Sequence, residues 1–285
     1  MAFDRLPIAA AARLPAQSTR SALVIAGVFG FVAYATWLAA TAPMERSLWI
    51  LLAILAASLV SSIAGFAFSA ITGAMLFHLI DDPVRVVQIM LICSVGGQCL
   101  MVGALWRTIQ WRQLTVFLAG AAVGLPLGLF ILLHTPSAVY SQAIGGALVL
   151  YALFMVTRRP MTVRHQNVLF DAIAGFLGGV TGGAAAFPGM FVTIWCSFKG
   201  WSKEKQRALY QPFILIVQLA AITLMTLPGF MPHNHHAFAF TGIVFLPSVF
   251  LGSTLGLACF RRLNDRQFAL AVNVLLAVSG LGLLV

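Results

Sequence analysis

The chain has 285 residues, of which 61% are apolar and 8% charged, with a formal net charge of +10. Soluble domains use roughly 45–50% apolar and about 25% charged residues, so the composition excludes a water-soluble globular domain and predicts one large membrane domain. The basic residues lie in short stretches between apolar segments, where they orient a membrane protein rather than bind nucleic acid.

In chain order, residues 1–20 are polar, carry Arg5, Arg13 and Arg20, and are expected to be a cytoplasmic tail. The apolar run 21–42 is too long for a signal-peptide core, although Ala39-Ala40-Thr41-Ala42 loosely resembles a cleavage site; it is predicted to be an uncleaved N-terminal transmembrane helix. Segments 84–105, 113–133, 138–156, 208–227, 237–259 and 266–285 read as ordinary spans, near the 20 or so residues that cross a ~30 Å hydrocarbon core. Segments 47–80 and 166–198 do not fit, since each would be about 50 Å long as one helix. Both carry helix-weakening residues in the middle: Ser61-Ser62 with Gly65 in the first, and Gly178 to Gly183 through Pro188-Gly189 in the second. Interrupted helices at membrane depth survive only when buried in protein or lining a cavity.

The positive-inside rule decides whether each broken segment crosses once or folds back. With the N-terminus cytoplasmic, single crossings strand Arg107, Arg112, Arg158, Arg159 and Arg164 outside together with Arg46. If both segments fold back, all of the 17 Lys and Arg residues except Arg46 and Arg85 fall inside. The sequence therefore predicts two hairpins in a bacterial inner membrane, with Val285 and the loops 81–84 and 228–236 periplasmic. Re-entrant loops and tightly packed double crossings satisfy this parity equally.

An internal repeat supports the hairpins. Gly124-Leu125-Pro126-Leu127-Gly128-Leu129 recurs 128 residues later as Gly252-Ser253-Thr254-Leu255-Gly256-Leu257, and the polar corner from His134 to Ser137 then falls on Arg262 to Asp265. An offset of 120 sets Arg85 on Lys205 and Gln98 on Gln218. The predicted fold is an all-α polytopic membrane protein of two inverted repeats, 47–156 and 166–285, preceded by one N-terminal helix. Each repeat is a broken-helix hairpin plus three transmembrane helices. An odd number of net crossings turns the second half upside down, as in many secondary transporters, whose sites lie near the midplane where interrupted helices meet.

The expected site draws Gly65, Ser69, Thr72 and Gly73 from the first break and Thr181, Gly182, Gly183, Pro188 and Gly189 from the second. A helix restarting after a break offers unpaired N–H groups and the positive end of its dipole. Hydroxyls add donors without charge, glycine admits the ligand close to the backbone, and Pro188 suits a first helical turn. Such a site fits a small oxyanion. Gln98 and Gln218, repeat-related and mid-helix, are candidate solute contacts, with an interhelical hydrogen bond as the alternative. The Gly and Ala positions of 118–128 and 145–147 read as packing residues.

Acidic side chains are confined to Asp4, Glu45, Asp81, Asp82, Asp171, Glu204 and Asp265, and only Asp171 falls inside a membrane segment, near its cytoplasmic end. Proton relays and cation sites need intramembrane carboxylates. Anion efflux does not, because an inside-negative potential drives it by ~2.3 kcal/mol per charge per 100 mV. The chain has no GxxxxGK[ST] motif for nucleotide hydrolysis. Cys93, Cys99, Cys196 and Cys259 form no CxxC pair and are expected to be buried structural thiols. His233, His235 and His236 fall in an outer loop without HExxH or a carboxylate partner, and His78 sits near a segment end, so neither metal, cofactor nor enzyme is expected. The expected partners are a small anionic solute and the lipid bilayer, with a homo-oligomer left open. A non-transporting membrane scaffold or assembly factor is the competing reading.

The stretch Ala174-Gly175-Phe176-Leu177-Gly178-Gly179-Val180-Thr181-Gly182-Gly183, followed by Phe187-Pro188-Gly189, resembles the Gly-rich G-G-G…P opening of each repeat in the sulfite exporter TauE/SafE family. The run from Gly252 to Phe268, with its Gly-x-x-x-Gly and Arg261-Arg262 corner, also resembles that family, so the resemblance spans nearly the whole chain from about residue 50. Gly73 stands where the family usually has Pro, and Ala184-Ala185-Ala186 replaces part of the Gly run. The resemblance implies export of sulfite, a sulfonate or another small organic anion.

Overall fold

The computed structural model describes residues 47–64, 68–157, 167–199, 203–228 and 238–260, with single positions at 201 and 230 and six between 30 and 37. The chain divides into a unit ending at Ser47 and a unit from Leu48 to Val285. In the first, the six described positions are helical, and the rings of Tyr34 and Trp37 lie 6.0 Å apart. The tail 1–20 and most of the expected helix 21–42 lie outside the described residues, as do the histidine cluster and the expected span 266–285.

The remaining described chain is helical: α1 (Ser47–Ala64), α2 (Phe68–Leu76), α3 (Pro83–Leu105), α4 (Trp111–His134), α5 (Ser137–Thr157), α6 (Val168–Ala185), α7 (Gly189–Phe198), α8 (Lys203–Thr226) and α9 (Leu246–Phe260). Four helices, Pro83–Gly103, Trp111–His134, Val168–Ala185 and Lys205–Thr226, are long and apolar enough to cross a membrane. The spans expected at 84–105, 113–133, 138–156 and 208–227 coincide with α3, α4, α5 and α8 to within a few residues. The span expected at 237–259 instead opens with a 3-10 stretch, Phe240–Phe245, before α9. Local chemistry sets the starts. Asp82 accepts from Val84 N at 2.9 Å with Pro83 at the first helical position, and Asn167 accepts from Leu169 N at 3.0 Å. Both are N-caps of the usual kind. Pro126 and Pro212 sit inside α4 and α8, which membrane helices tolerate.

The distribution of polarity is that of a protein dissolved in lipid. Val123, Phe130, Leu150, Leu153 and Val168 are exposed, whereas Ser58, Thr72, Gln88, Gln211 and Gln218 are buried. Water would favour the reverse. Of the thiols, Cys93 and Cys196 are buried as expected, but Cys99 is exposed on α3. An apolar thiol is at no disadvantage on a lipid-facing surface.

The second long apolar segment is interrupted, at the Pro188-Gly189 end of the stretch its composition marks. α1 runs helically through Ser61-Ser62 to Ala64, and α2 is described from Phe68; the expected break at Gly65 lies outside the described residues. α6 runs helically through Gly178 to Gly183 and ends only at Ala185. The glycine run keeps its helix because it is packed, as follows. A methyl on Gly183 would stand 2.6 Å from the Leu125 carbonyl, and one on Gly179 2.6 Å from the Ala121 carbonyl. Gly120, Gly124 and Gly128 of α4 reciprocate against the backbone of Ala172, Phe176 and Val180. Glycines four apart on both helices thus bring the α4 and α6 backbones into direct contact, the small-residue seam by which membrane helices gain dispersion contacts.

The same contact occurs a second time. Gly252 of α9 abuts Leu55 O and Leu59 N of α1 as Gly124 of α4 abuts Phe176 O and Val180 N of α6, and Gly256 meets Leu59 O as Gly128 meets Val180 O. The glycines keep the spacing of 128 residues, and their partners (Leu55 with Phe176, Leu59 with Val180) keep one of 121.

Candidate functional site

The second break occupies three residues. α6 ends at Ala186, in the left-handed region at φ 52°, and the N–H groups of Ala186 and Phe187 both turn back to the Thr181 carbonyl, the latter at 3.1 Å. Pro188 then holds φ at −68° and α7 begins at Gly189. The reversal makes α6 and α7 a hairpin, because the two ends remote from the break meet. Asp171, in the first turn of α6, accepts from Lys199 Nζ at 2.7 Å and from Trp195 Nε1 at 2.6 Å. Lys199, at the end of α7, also lies 4.7 Å over the Trp201 ring and 5.7 Å over that of Phe117 on α4.

Side chains from neighbouring helices close on this break. Gln218 of α8, fully buried, donates from Nε2 to the Ala186 carbonyl at 3.1 Å, while its Oε1 meets no hydrogen-bond partner among the described residues. Val217 and Pro188 cover Gly182, with Val217 Cγ1 2.8 Å from the position of an added methyl. The Tyr140 hydroxyl of α5 donates to the Ala184 carbonyl, and its ring stands 5.7 Å from that of Phe77, just past the end of α2. α5 therefore links the end of α2 to the end of α6.

Between α1, α2, α3 and α9 the structure leaves space instead. A cavity of about 30 Å³ opens there, a volume on the scale of one or two waters. Ser61, Ser62, Ser94, Gln98 and Ser253 give it a polar wall, and Phe68, Cys93, Gly97, Met101 and Val249 complete it among the described residues. None of these side chains is charged. Ser62 Oγ donates to Leu59 O at 2.9 Å and Ser61 Oγ to Ser58 O at 3.4 Å.

The expected site residues thus divide. Gln98 stands in the cavity wall with the first residue of α2, while Ser69, Thr72 and Gly73 are buried farther along α2, Gly73 against Met90 and Phe77. The Thr72 hydroxyl has no hydrogen-bond partner among the described residues. Gly182, Pro188, Gly189 and Gln218 gather at the second break. Thr181 contributes its carbonyl to the break but turns its hydroxyl to Leu177 O at 3.0 Å, and Gly183 belongs to the α4–α6 seam. The sequence reading missed Ser94 and Ser253 as wall residues and the Asp171–Lys199 pair. The repeat held a signal for the serines, since Ser253 replaces Leu125 and Ser94 replaces Ile214 between the two copies.

Long apolar helices with exposed apolar and buried polar side chains define a multi-pass α-helical membrane protein. Comparison with known families agrees: the model of the family described as "Sulfite exporter TauE/SafE" matches residues 50–283. The chain belongs to that family of membrane transporters for sulfite and related anions. No curated protein and no solved structure matches it.

Proposed function

We propose that the chain is a secondary transporter of a bacterial inner membrane that exports a small anion, such as sulfite or a sulfonate, through a midplane site between two inverted repeats. The N-terminus is cytoplasmic and the C-terminus periplasmic. The reading is carried by the cavity between α1, α2, α3 and α9, where four serines and a glutamine line a gap inside an apolar bundle with no carboxylate among the described wall residues. Burying polar groups in such a bundle is costly unless a partner satisfies them, and a small anion supplies several acceptor oxygens at once. The repeated glycine contacts support the inverted halves, because equivalent helices meet equivalent partners at fixed spacings. The test is efflux of sulfite from proteoliposomes holding the purified full-length chain. Saturable efflux above protein-free liposomes is expected; its absence from folded protein would return the scaffold reading to first place.

A further inference from the structure

Building on the transport reading above, we propose that the two halves do different work: the solute is held in the cavity between α1, α3 and α9 alone, by the hydroxyls of Ser61, Ser62, Ser94 and Ser253 beside the Gln98 amide, and the corresponding place at the break after α6 is its dry structural counterpart. The two seams bring positions of α1 and α6, and of α4 and α9, into register, and the repeat does the same for α3 and α8. The spacing of 121 between α1 and α6 sets Ser61 on Gly182 and Ser62 on Gly183. The spacing of 120 between α3 and α8 sets Ser94 on Ile214 and Gly97 on Val217, and that of 128 sets Ser253 on Leu125. Each serine lining the cavity therefore corresponds to a residue with no polar side chain in the other half. Only the amide is kept, and its surroundings differ. Gln98 lines the cavity, whereas Gln218 is fully buried and donates to the Ala186 carbonyl.

Space follows the same pattern as polarity. Ser61 and Gly97 stand across a gap, while their counterparts leave none: Val217 Cγ1 lies 2.8 Å from where a Gly182 methyl would be. Phe213, matching Cys93, fills the volume beside Gly178 with its ring edge 3.0 Å from the methyl position there. Phe213, Ile214 and Val217 are all buried.

The hydroxyl pocket selects an anion by neutral donors. The Ser61 bond to Ser58 O is 3.4 Å long and therefore weak, so a bound oxyanion competes well for that proton. An anion held by hydroxyls, without a fixed cation, is released more easily than one paired to Arg or Lys, as turnover requires.

The experiment measures sulfite efflux from proteoliposomes containing the full-length chain. Ser94→Ala and Ser253→Ala should each raise the half-saturating sulfite concentration about tenfold, the loss of one hydrogen bond to a charged group. Gly97→Val, which copies the second half into the first, should reduce efflux to the protein-free rate. The backbone has room for it, since a methyl there meets only Val249 Cγ1, at 3.4 Å. Val217→Ala, at the matching place in the second half, should leave efflux within twofold of wild type. If the serine variants and Gly97→Val transported like wild type, the assignment to the cavity would be wrong while the transport reading stood. A monodisperse Val217→Ala protein without efflux would overturn it equally. Should Gly97→Val not fold, the two serine variants decide the matter. Wild-type protein with no saturable efflux would instead remove the transport reading, and this assignment with it.

Discussion

Gly182 and Gly183 are neighbours in sequence with different surroundings, and the difference is measurable. A methyl on Gly183 meets the Leu125 carbonyl and the Leu129 N–H, both at 2.6 Å, and one on Gly120 meets the Ala172 carbonyl. Backbone atoms of a packed helix cannot step aside, so Gly183→Ala and Gly120→Ala force the seam open at a cost of about 3 kcal/mol each. Their unfolding temperatures in detergent should fall well below wild type. Gly97→Ala, with its nearest neighbour at 3.4 Å, should unfold close to wild type. Equal stability for all three would contradict the seam. The sequence showed the glycines and their spacing of four, yet a glycine that breaks a helix and one that packs it are the same letter. What separates Gly183 from a break is the helix lying against it, a relation between residues about sixty positions apart.

A second residue-scale prediction concerns Lys199, whose side chain is only 3% exposed and pairs with Asp171. Breaking a buried pair by removing one partner costs roughly 3–5 kcal/mol, because the remaining charge stays buried. Asp171→Asn and Lys199→Met should each lower thermal stability by amounts of that order, and the double variant by less than their sum. Strict additivity would show that the two groups do not depend on one another. Sequence inspection placed Asp171 near a segment end and Lys199 in a loop, and could not pair them, since only the reversal at Ala186 brings the ends of α6 and α7 together.

At the level of elements, long apolar runs gave α3, α4, α5 and α8 to within a few residues, because length and hydropathy suffice to define a crossing. The second break was legible as excess length and falls at the Pro188-Gly189 end of the marked stretch rather than in its glycine run. α6 at 18 residues and α7 at 10 share one apolar segment, and at 1.5 Å per residue α7 reaches about 15 Å, half of the hydrocarbon core. A helix of that length cannot cross alone, so the chain must return to the face it left. For the first long segment, the inverted-repeat reading predicts that the loop after α2 is periplasmic. Asp81 is the position to label, because Asp82 caps α3 through Val84 N and its loss would weaken that helix by about 1 kcal/mol. In a cysteine-free background, Asp81→Cys should react with an impermeant maleimide added to intact spheroplasts, and Arg164→Cys should not react until the membrane is opened. Protection of position 81 with labelling at 164 would place the hairpin on the wrong side.

For the whole molecule, the deciding quantity is charge. Among the described residues the wall of the cavity holds no ionised side chain, and Asp171, the one acid expected inside a membrane segment, is neutralised by Lys199. The proposed carrier, whose site is built from hydroxyls and an amide, needs no carboxylate to bind its anion, whereas bringing a proton or metal cation along would require one. On that proposal net charge moves with each anion, and the membrane potential acts on it directly. At 100 mV, inside negative, one exported charge gains ~2.3 kcal/mol, or about fiftyfold in the equilibrium ratio of the anion across the membrane. In proteoliposomes loaded with sulfite, a potassium diffusion potential set with valinomycin should therefore accelerate efflux when the lumen is negative and slow it when the sign is reversed. A neutral solute of similar size, such as glycerol, should show no carrier-dependent flux, since it makes no charge-assisted hydrogen bonds to the serine hydroxyls. Efflux that ignores the potential but responds to a pH gradient would mean that a proton accompanies the anion. The carrier would then have to use a group other than a free carboxylate, and the reading of an uncoupled anion path would fall while the hydroxyl pocket could stand.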